Sequence, residues 1–496
     1  MKAQVCAPLG ELRPGPGVTI FHGSTCDNQS SEFSEHVRMP FELPHRWNTV
    51  QLVDKELEKT KIKSFSELAS ILCRINPNCI KDDFDMLERV ILSLDAEKKY
   101  KNSKKSVEFY RHTFPFIVKS AVALKRVIRQ RIPILKQKMN HCLFFDQEQI
   151  LSLLANAFLG TFPYPRNSEL THFTLQHLFS RPCCIFRKKE HKLRSILNYF
   201  FRASNRSSKS SLKGVVSFQR RYLAPEKIPV WSNCSSTLSK LIIDNHGSLQ
   251  RNGKGKLRVD FANKFLGYKT LKNGCGQEEV LFCTHPELIV SVLFTESMLD
   301  NEAVTITGAE RFNRSFGEGD SFLYRGSHSD VTKFDSWGRR LNEIVAIDPI
   351  KFDPGAGLSQ YSTNLIEREL TKAYCGFMLN EYSNANGPIA TGNWGSNTFC
   401  SDHQLKSLIQ WIAASACNRE LFYFTEANHR LLSFHLIAAS LEKFTVAKLY
   451  RYLTHFQYSL EIDKNTNSRY NPTFTLFHWL RERLNRNTNH VVHNIE

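Results

Sequence analysis

The chain has 496 residues, of which 41% are apolar and 11% aromatic, and its 66 lysines and arginines exceed 48 aspartates and glutamates to give a net charge of +18. At about 150 residues per domain, this length predicts two or three folded units, and the composition excludes a collagen-like or mainly disordered chain. The sequence has no apolar run of about 18 residues, so a membrane-spanning helix is not expected. The first residues lack the apolar stretch of a secretory signal, so such a signal is not expected either.

The thirteen cysteines fall at irregular spacings without a CxxC pair. This pattern predicts free thiols rather than a zinc site or a disulfide framework. The excess positive charge favours polyanionic partners, but direct nucleic-acid binding is not expected because no recognition motif accompanies it. Two basic clusters, Lys98–Lys105 and Arg187–Arg194, are expected to be solvated faces, the alternative being nuclear-import or phosphate-contact patches.

The first half of the chain has mainly helical patterning. Residues 1–35, rich in Gly, Pro and Ser, predict a disordered leader, and residues 36–210 predict a helical accessory region. The clearest helix starts at Asp146, whose side chain can cap the helix while Gln149 reaches back, and it ends at Gly160. The apolar stripe between these residues is expected to be core.

Short strand-like runs alternate with helices in the second half. The runs that predict strands are residues 214–218, 257–263, 304–307, 343–348 and 421–425, and helical spacing follows Leu365–Tyr374 and Leu405–Ile412. This alternation predicts an α/β fold with a mixed or parallel sheet flanked by helices over residues 211–460, followed by an irregular tail over residues 461–496. Ligands of such folds bind beyond the carboxyl ends of the strands.

Three segments carry residues suited to chemistry. Asp260 and Asn263 end a predicted strand, and the small residues Gly274-Cys275-Gly276 precede Gln277-Glu278-Glu279. Small residues let a backbone approach a ligand closely, and two adjacent carboxylates repel each other, which favours a raised pKa in at least one of them. Such a group is suited to act as a general acid. The third segment is Thr391–Gly395.

These segments, in this order, resemble the poly(ADP-ribose) glycohydrolase family. The similarity extends over about residues 36–460 and includes Pro133–Pro163, Glu343–Asp348, Leu370–Phe377 and Tyr423–Thr425. It implies a macrodomain-like catalytic region with a helical accessory region, and hydrolysis of the ribose–ribose bonds of poly(ADP-ribose) to release ADP-ribose. It also implies poly(ADP-ribose) and ADP-ribosylated proteins as partners, a role in the DNA damage response, a nuclear or cytoplasmic location, and no metal or other cofactor.

The resemblance assigns roles to individual residues. Glu279 is expected to protonate the departing ribose oxygen and then to activate water, while Glu278 and Asp260 orient the ribose and stabilise the oxocarbenium charge. Leu249 and Gln250 are expected to meet the adenine, and Asn263 and Gln277 to hold sugar hydroxyls and the catalytic loop. The remaining expected substrate-binding residues are Glu318, Asn393, Trp394, Gly395, Ser396, Asn397, Thr398 and Phe399.

The chain departs from the family pattern in its phosphate-binding and stacking positions. Three consecutive glycines of the family signature read Gly267-Tyr268-Lys269 here, and the loop Gly395–Asp402 also has fewer glycines. The adenine-stacking tyrosine of the family is Glu318 here, and a second aromatic residue is Glu426. A carboxylate offers no stacking face and repels a diphosphate.

Three nearby aromatic residues could replace the lost stacking faces or could equally belong to the core: Phe316, Phe322 and Tyr324. Two functional hypotheses follow. The first is a working glycohydrolase with a rebuilt pocket. The alternative is a catalytically weak or inactive relative that binds ADP-ribose or serves as a scaffold.

Overall fold

A computed structural model describes residues 18–20, 35–96, 105–180, 186–206, 214–379, 387–396, 398–465 and 475–492. The predicted leader lies outside the described residues except for Val18–Ile20 and residue 35, as do Asn397 and the basic cluster at 98–105 apart from Lys105. In the described ranges, no helix is both long and apolar enough to span a bilayer.

Nine strands of the described chain form one mixed sheet, in the order β1-β2-β3-β6-β9-β5-β10-β11-β4, and β7 and β8 form a separate hairpin. The strands are β1 Val18–Ile20, β2 His141–Asp146, β3 Val215–Tyr222, β4 Leu241–Asp244, β5 Leu257–Phe261, β6 Glu302–Thr307, β7 Asn313–Phe316, β8 Leu323–Ser327, β9 Glu343–Ile347, β10 Ile389–Thr391 and β11 Leu421–Phe424. The run β9-β5-β10-β11-β4 is parallel throughout, whereas β2, β3, β6 and β9 pair antiparallel.

Helices cover both faces of this sheet, as the alternation of strands and helices predicts. They are α1 Pro44–Lys59, α2 Phe65–Ile75, α3 Asp85–Ser93, α4 Lys105–Glu108, α5 Phe114–Val122, α6 Leu124–Val127, α7 Gln147–Leu159, α8 Phe186–Ser204, α9 Leu249–Asn252, α10 Gln277–Thr284, α11 Ser291–Phe294, α12 Thr363–Phe377, α13 His403–Ala416, α14 Phe434–Leu441, α15 Val446–Asn465 and α16 Leu476–Val492. One large apolar core joins the first eight helices to one sheet face, and a second core lies between the sheet and α12 to α16.

The most distinct local predictions are confirmed. Helix α7 begins after Asp146, whose Oδ1 accepts a hydrogen bond from the Gln149 amide at 2.8 Å, and ends at Gly160 with a φ of 67°. All five predicted strands are present as β3, β5, β6, β9 and β11, and the two predicted helices are α12 and α13. The sequence patterns did not predict β2, β4 or β10.

Both ends of the chain differ from the prediction. Val18–Ile20, within the predicted disordered leader, pairs with β2 as a parallel strand. The predicted irregular tail contains α16, because Leu476, Phe477 and Leu480 bury an apolar stripe against the second core, with the Phe477 ring stacked on Phe434. The sequence did not predict this helix because the segment is mainly polar and only one face of the helix is apolar.

The sheet contains strands from both sides of the predicted boundary between residues 210 and 211. Strand β2 belongs to the predicted helical region, yet it pairs with β3 along six residues on each strand. Four successive residues of β2, Cys142–Phe145, are buried, so its sequence lacks the apolar–polar alternation of a half-buried strand. The boundaries 36–210 and 211–460 therefore stay a prediction about sequence segments, whereas the sheet itself is continuous across them.

A buried ionic cluster fastens α8 to the sheet region. The carboxylate of Glu310, 1% exposed, accepts hydrogen bonds from Arg202 at 2.9 Å and Arg206 at 2.6 Å and forms an ion pair with Arg340 at 3.2 Å. The Gln147 side chain on α7 donates to the same carboxylate at 3.1 Å. These contacts lower the pKa of Glu310 despite its burial, so the charged form contributes to holding helices and sheet together.

Glu310→Ala is expected to lower the free energy of unfolding by about 3 kcal/mol, because it leaves three partly buried arginines without their common, buried partner. Glu148→Ala, which removes the exposed partner of Arg126 on α7, is the matched control and is expected to cost less than about 1 kcal/mol. Urea denaturation measures both. An equal effect of the two substitutions would contradict the role of the buried cluster.

Candidate active site

The predicted functional segments converge at one edge of the sheet. Strands β5, β10 and β11 are parallel neighbours, so their carboxyl ends meet at this edge. Asp260 lies near the end of β5, Asn393 follows β10, and Glu426 follows β11. Helix α10, which carries Glu278 and Glu279 in its first turn, begins beside the same edge. The site therefore lies where α/β sheets bind ligands.

Asp260 is fully buried behind the cleft. Neither carboxylate oxygen has a hydrogen-bond partner among the described residues. Burial raises the pKa of Asp260 well above its ordinary value, the charge of Glu279 raises it further, and the buried Arg258 guanidinium opposes the rise. Arg258 is itself affected, since burial lowers its pKa to about 10.

Backbone amides hold the two adjacent glutamates. Glu278 accepts a hydrogen bond from the Gly267 amide at 2.9 Å, and Glu279 accepts one from the Gly276 amide at 2.5 Å. Burial, followed by the charges of Asp260 and Glu279, raises the pKa of Glu278 well above its ordinary value. The expectation that neighbouring carboxylates raise the pKa of at least one member is confirmed at Glu278.

Gln277 joins α10 to the end of β5. Its side-chain oxygen accepts a hydrogen bond from the Phe261 amide at 2.9 Å, and its side-chain nitrogen donates to the Val259 carbonyl at 3.2 Å. This pair of bonds continues the hydrogen-bonding pattern of the strand into the helix N-terminus. These two hydrogen bonds fix the start of α10, which carries both glutamates, relative to the strand that carries Asp260.

A cleft of about 430 Å³ opens in front of these acids. Its size is that of a small-molecule site. Eleven of the residues predicted to act in catalysis or substrate binding line it: Glu278, Glu279, Leu249, Gln250, Asn263, Gln277, Glu318, Asn393, Gly395, Thr398 and Phe399. The fold thus brings together side chains that are far apart in the sequence, from Lys188 to Glu426, both of which line the cleft.

Three predicted site residues do not line this cleft. Asp260 lies behind it, and Trp394 is fully buried, with its indole N–H donating to the Ile347 carbonyl at 3.0 Å and the Lys406 ammonium 3.6 Å from its ring centroid. Ser396 lines a neighbouring depression instead. The Trp394 ring, expected to bind substrate, is instead turned into the core, where its packing anchors the loop that contains Asn393 and Gly395.

The basic cluster at 187–194 is not a solvated face, contrary to the prediction. Lys188 lines the cleft, Lys189 is buried, and Lys192, 1% exposed, donates to the carbonyls of Lys272 and Gly274 at 2.7 Å each and of Lys269 at 3.3 Å. Burial lowers the pKa of Lys192. This ammonium group satisfies three carbonyls of the loop that leads into α10, a tertiary role that no local sequence pattern indicates.

The aromatic walls of the cleft are Phe261, Phe399 and Phe424. They supply the apolar faces that Glu318 and Glu426 do not. The three aromatics proposed from sequence as replacements do not line the cleft, and Phe322 packs in a small core with Cys275, Val280 and Cys283. Phe261 and Phe424 lie at strand ends that the sequence identified, but the face to which each ring points was not predicted.

Glu318 and Glu426, which stand where the family has aromatic residues, both line the cleft. Burial raises the pKa of Glu318 to about 7, with smaller contributions from the charges of Glu426 and Glu279. Burial also raises the pKa of Glu426, and Arg251 opposes this. In the described ranges, no group of three or more His, Cys, Asp and Glu side chains is arranged to hold a metal ion.

Comparison with known families agrees with this architecture, which defines an α/β protein of the macrodomain type with an attached helical region. A sequence model described as Poly (ADP-ribose) glycohydrolase (PARG), Macro domain fold, matches residues 228–433, and one described as the helical domain of the same family matches residues 101–220.

Curated relatives carry the same name. The chain is 30% identical over 365 residues to Probable poly(ADP-ribose) glycohydrolase 2 of Arabidopsis thaliana, covering 63% of this chain and 68% of that relative. It is 30% identical over 368 residues to Poly(ADP-ribose) glycohydrolase 1 of the same plant, covering 60% of this chain and 66% of that relative. Poly(ADP-ribose) glycohydrolase 1 of Caenorhabditis elegans is 38% identical over 176 residues, which cover 34% of this chain and 22% of that relative. The chain belongs to the poly(ADP-ribose) glycohydrolase family.

Gly274→Ala is expected to lower the free energy of unfolding by about 1–3 kcal/mol. A Cβ there would lie 2.6 Å from the Lys269 Cβ and 2.7 Å from the Glu279 carboxyl carbon. Gly387→Ala is the matched control, because its nearest neighbour would be 3.8 Å away, and it is expected to be neutral or slightly stabilising. Denaturant unfolding compares the two. Equal stability of both variants would show that the loop can move aside.

Proposed function

We propose that this chain hydrolyses the ribose–ribose bonds of poly(ADP-ribose) and releases ADP-ribose, with Glu279 as the general acid and base. Membership of the family makes the chain a glycoside hydrolase that acts on poly(ADP-ribose). The observation that carries the residue assignment is that Glu278 and Glu279 line the cleft while Asp260 is buried directly behind it.

Glu279 is suited to transfer a proton in the cleft. Its Oε2 is fixed by the Gly276 amide, which orients the carboxyl group and leaves Oε1 for a ligand. In the proposed reaction, the protonated carboxyl donates to the bridging oxygen as the bond from that oxygen to the anomeric carbon breaks. Water then adds to the anomeric carbon and returns a proton to the Glu279 carboxylate, so the enzyme ends in its starting state.

Glu278 and Asp260 support this step in different ways. Glu278 lines the cleft and is proposed to hold the ribose and to stabilise the developing oxocarbenium charge. Asp260 does not reach the cleft surface, so it is proposed to act through its neighbours as a positioning residue. Burial is the main cause that raises the pKa values of Asp260 and Glu278, so both groups beside Glu279 bind protons more readily than exposed carboxyl groups do.

The remainder of the cleft suits a nucleotide diphosphate. Leu249, Phe261 and Phe424 form an apolar wall for the adenine. Lys269 provides positive charge, and so does Lys188, which also pairs with the exposed Asp320. Lys269, at a position where the family has glycine, has its ammonium group 5.2 Å from the Phe399 ring centroid. We therefore propose that lysine side chains replace part of the backbone-amide binding that the missing glycines would allow.

The alternative of an inactive or scaffold relative is not favoured. The acids at the helix N-terminus, their amide donors and the open cleft are all present. A role in the DNA damage response and a nuclear or cytoplasmic location stay predictions from the resemblance.

Glu279→Gln is expected to lower the rate of ADP-ribose release from purified poly(ADP-ribose) by at least 10²-fold, because the amide cannot donate the required proton. It is expected to leave the affinity for ADP-ribose nearly unchanged. Glu226→Gln, at an exposed position away from the cleft, is the control and is expected to retain full activity. Undiminished release by the Glu279→Gln enzyme would contradict the assignment, and no release by the unaltered chain would contradict the proposed function.

The affinity for ADP-ribose is expected to fall roughly 3- to 10-fold as the pH rises from 6 to 8. The pKa of Glu318 is about 7, so this side chain is mostly neutral at the lower pH and adds a negative charge near the diphosphate at the higher pH. Glu318→Gln is expected to flatten this dependence, as measured by calorimetry at several pH values. A steep dependence that survives in Glu318→Gln would exclude Glu318 as its source.

A further inference from the structure

A second concave surface, which we call the tyrosine groove, lies beside the catalytic cleft. It has a volume of about 550 Å³, and its walls include Tyr164, Arg166, His172, His177, Tyr268 and Lys272. None of the described residues that line it is an aspartate or glutamate. In this respect it differs from the cleft, which contains four glutamates.

One short turn separates the groove from the cleft. Residues Tyr268–Leu271 form a single turn of 3-10 helix in which Tyr268 faces the groove, while the next residue, Lys269, lines the cleft. The Lys192 ammonium group holds the carbonyls of Lys269 and Lys272. The turn between the two surfaces is therefore held in place, and the adjacent residues Tyr268 and Lys269 line one surface each.

The groove combines aromatic faces with positive charge. The Tyr164 side chain is 71% exposed and its ring is stacked on His172 with 3.9 Å between centroids. The Lys272 ammonium group lies 4.6 Å from the Tyr268 ring centroid. Burial lowers the pKa values of both His172 and His177, so Arg166 and Lys272 carry the positive charge of the groove at neutral pH.

These features match the repeating unit of the polymer. Each unit presents an adenine face and a diphosphate, and proteins bind nucleotide chains through aromatic stacking next to cations. The walls beyond Arg166 continue into a further cavity lined by Arg38, Lys136 and Glu296, so the concave surface extends away from the cleft.

We propose that the tyrosine groove binds the ADP-ribose unit adjacent to the one in the catalytic cleft. Its tyrosines would stack on adenine, and Arg166 and Lys272 would contact the diphosphate. The groove would then make the enzyme prefer polymer over a single unit. This inference rests on the proposed function, because it takes the polymer as the ligand of the cleft.

The test measures binding in a Glu279→Gln background, where the polymer is expected to survive. Adding Tyr164→Ala and Arg166→Glu is expected to raise the Kd for long-chain poly(ADP-ribose) at least 10-fold, because one stacking contact and one ion pair are lost. The Kd for monomeric ADP-ribose is expected to stay within about twofold, since neither residue lines the cleft. This second value also shows that the variant is folded.

The matched control carries Tyr458→Ala and Arg481→Glu in the same background, at exposed positions far along the chain. It is expected to bind polymer like its parent. The proposal is overturned if polymer affinity is unchanged in the groove variant, if monomer affinity falls equally, or if the control loses as much affinity. It is also overturned if the groove substitutions weaken binding of single-stranded RNA but not of poly(ADP-ribose).

Failure of this inference can be told apart from failure of the proposed function. If the unaltered chain releases ADP-ribose but the groove variant binds polymer like its parent, the groove is not a polymer site and the enzyme assignment stands. If the unaltered chain releases nothing while the groove substitutions still weaken polymer binding, the groove assignment stands as a binding site and the hydrolytic function fails.

Discussion

The burial of three carboxyl groups where strand β5 ends and helix α10 begins is the constraint on which the site depends. Asp260, Glu278 and Glu279 are each 5% exposed or less, and isolated charges in such surroundings are strongly unfavourable. Amide groups of Gly267 and Gly276 donate hydrogen bonds to the two glutamates, and burial raises the pKa values of Asp260 and Glu278, which favours their neutral forms. Any arrangement that places the acids must therefore also hold the backbone that supplies those amides.

The helical region contributes directly to this arrangement. Its helix α8 brings Lys192 to the carbonyls of the loop before α10 and places Lys188 in the cleft wall. The same helix reaches the buried Glu310 through Arg202 and Arg206. The helices are thus a structural part of the active site, because without α8 the loop that positions the glutamates would have unsatisfied carbonyl groups.

Much of the fold and of the candidate site could be predicted from local patterns. The cap at Asp146 and the strand that carries Asp260 near its end are local signals. The resemblance to the family predicted that loops distant in the sequence form one site. The other features depend on tertiary packing. Lys192 has the sequence context of a solvated lysine, and the two phenylalanines at strand ends could equally have faced the core. Trp394 shows the converse, since its position within a binding loop does not reveal that its ring is turned inward.

The shared sheet has a consequence for how this protein can be divided. Strand β6 is buried along its whole length, and its six residues pair with β3. Most of β3, residues 215–220, lies in the sequence segment matched by the helical-domain description. A polypeptide cut between the two matched segments would expose the unpaired backbone of an apolar strand, which is a template for intermolecular pairing. The two family descriptions divide the sequence, whereas the strand pairing of the sheet extends across that division.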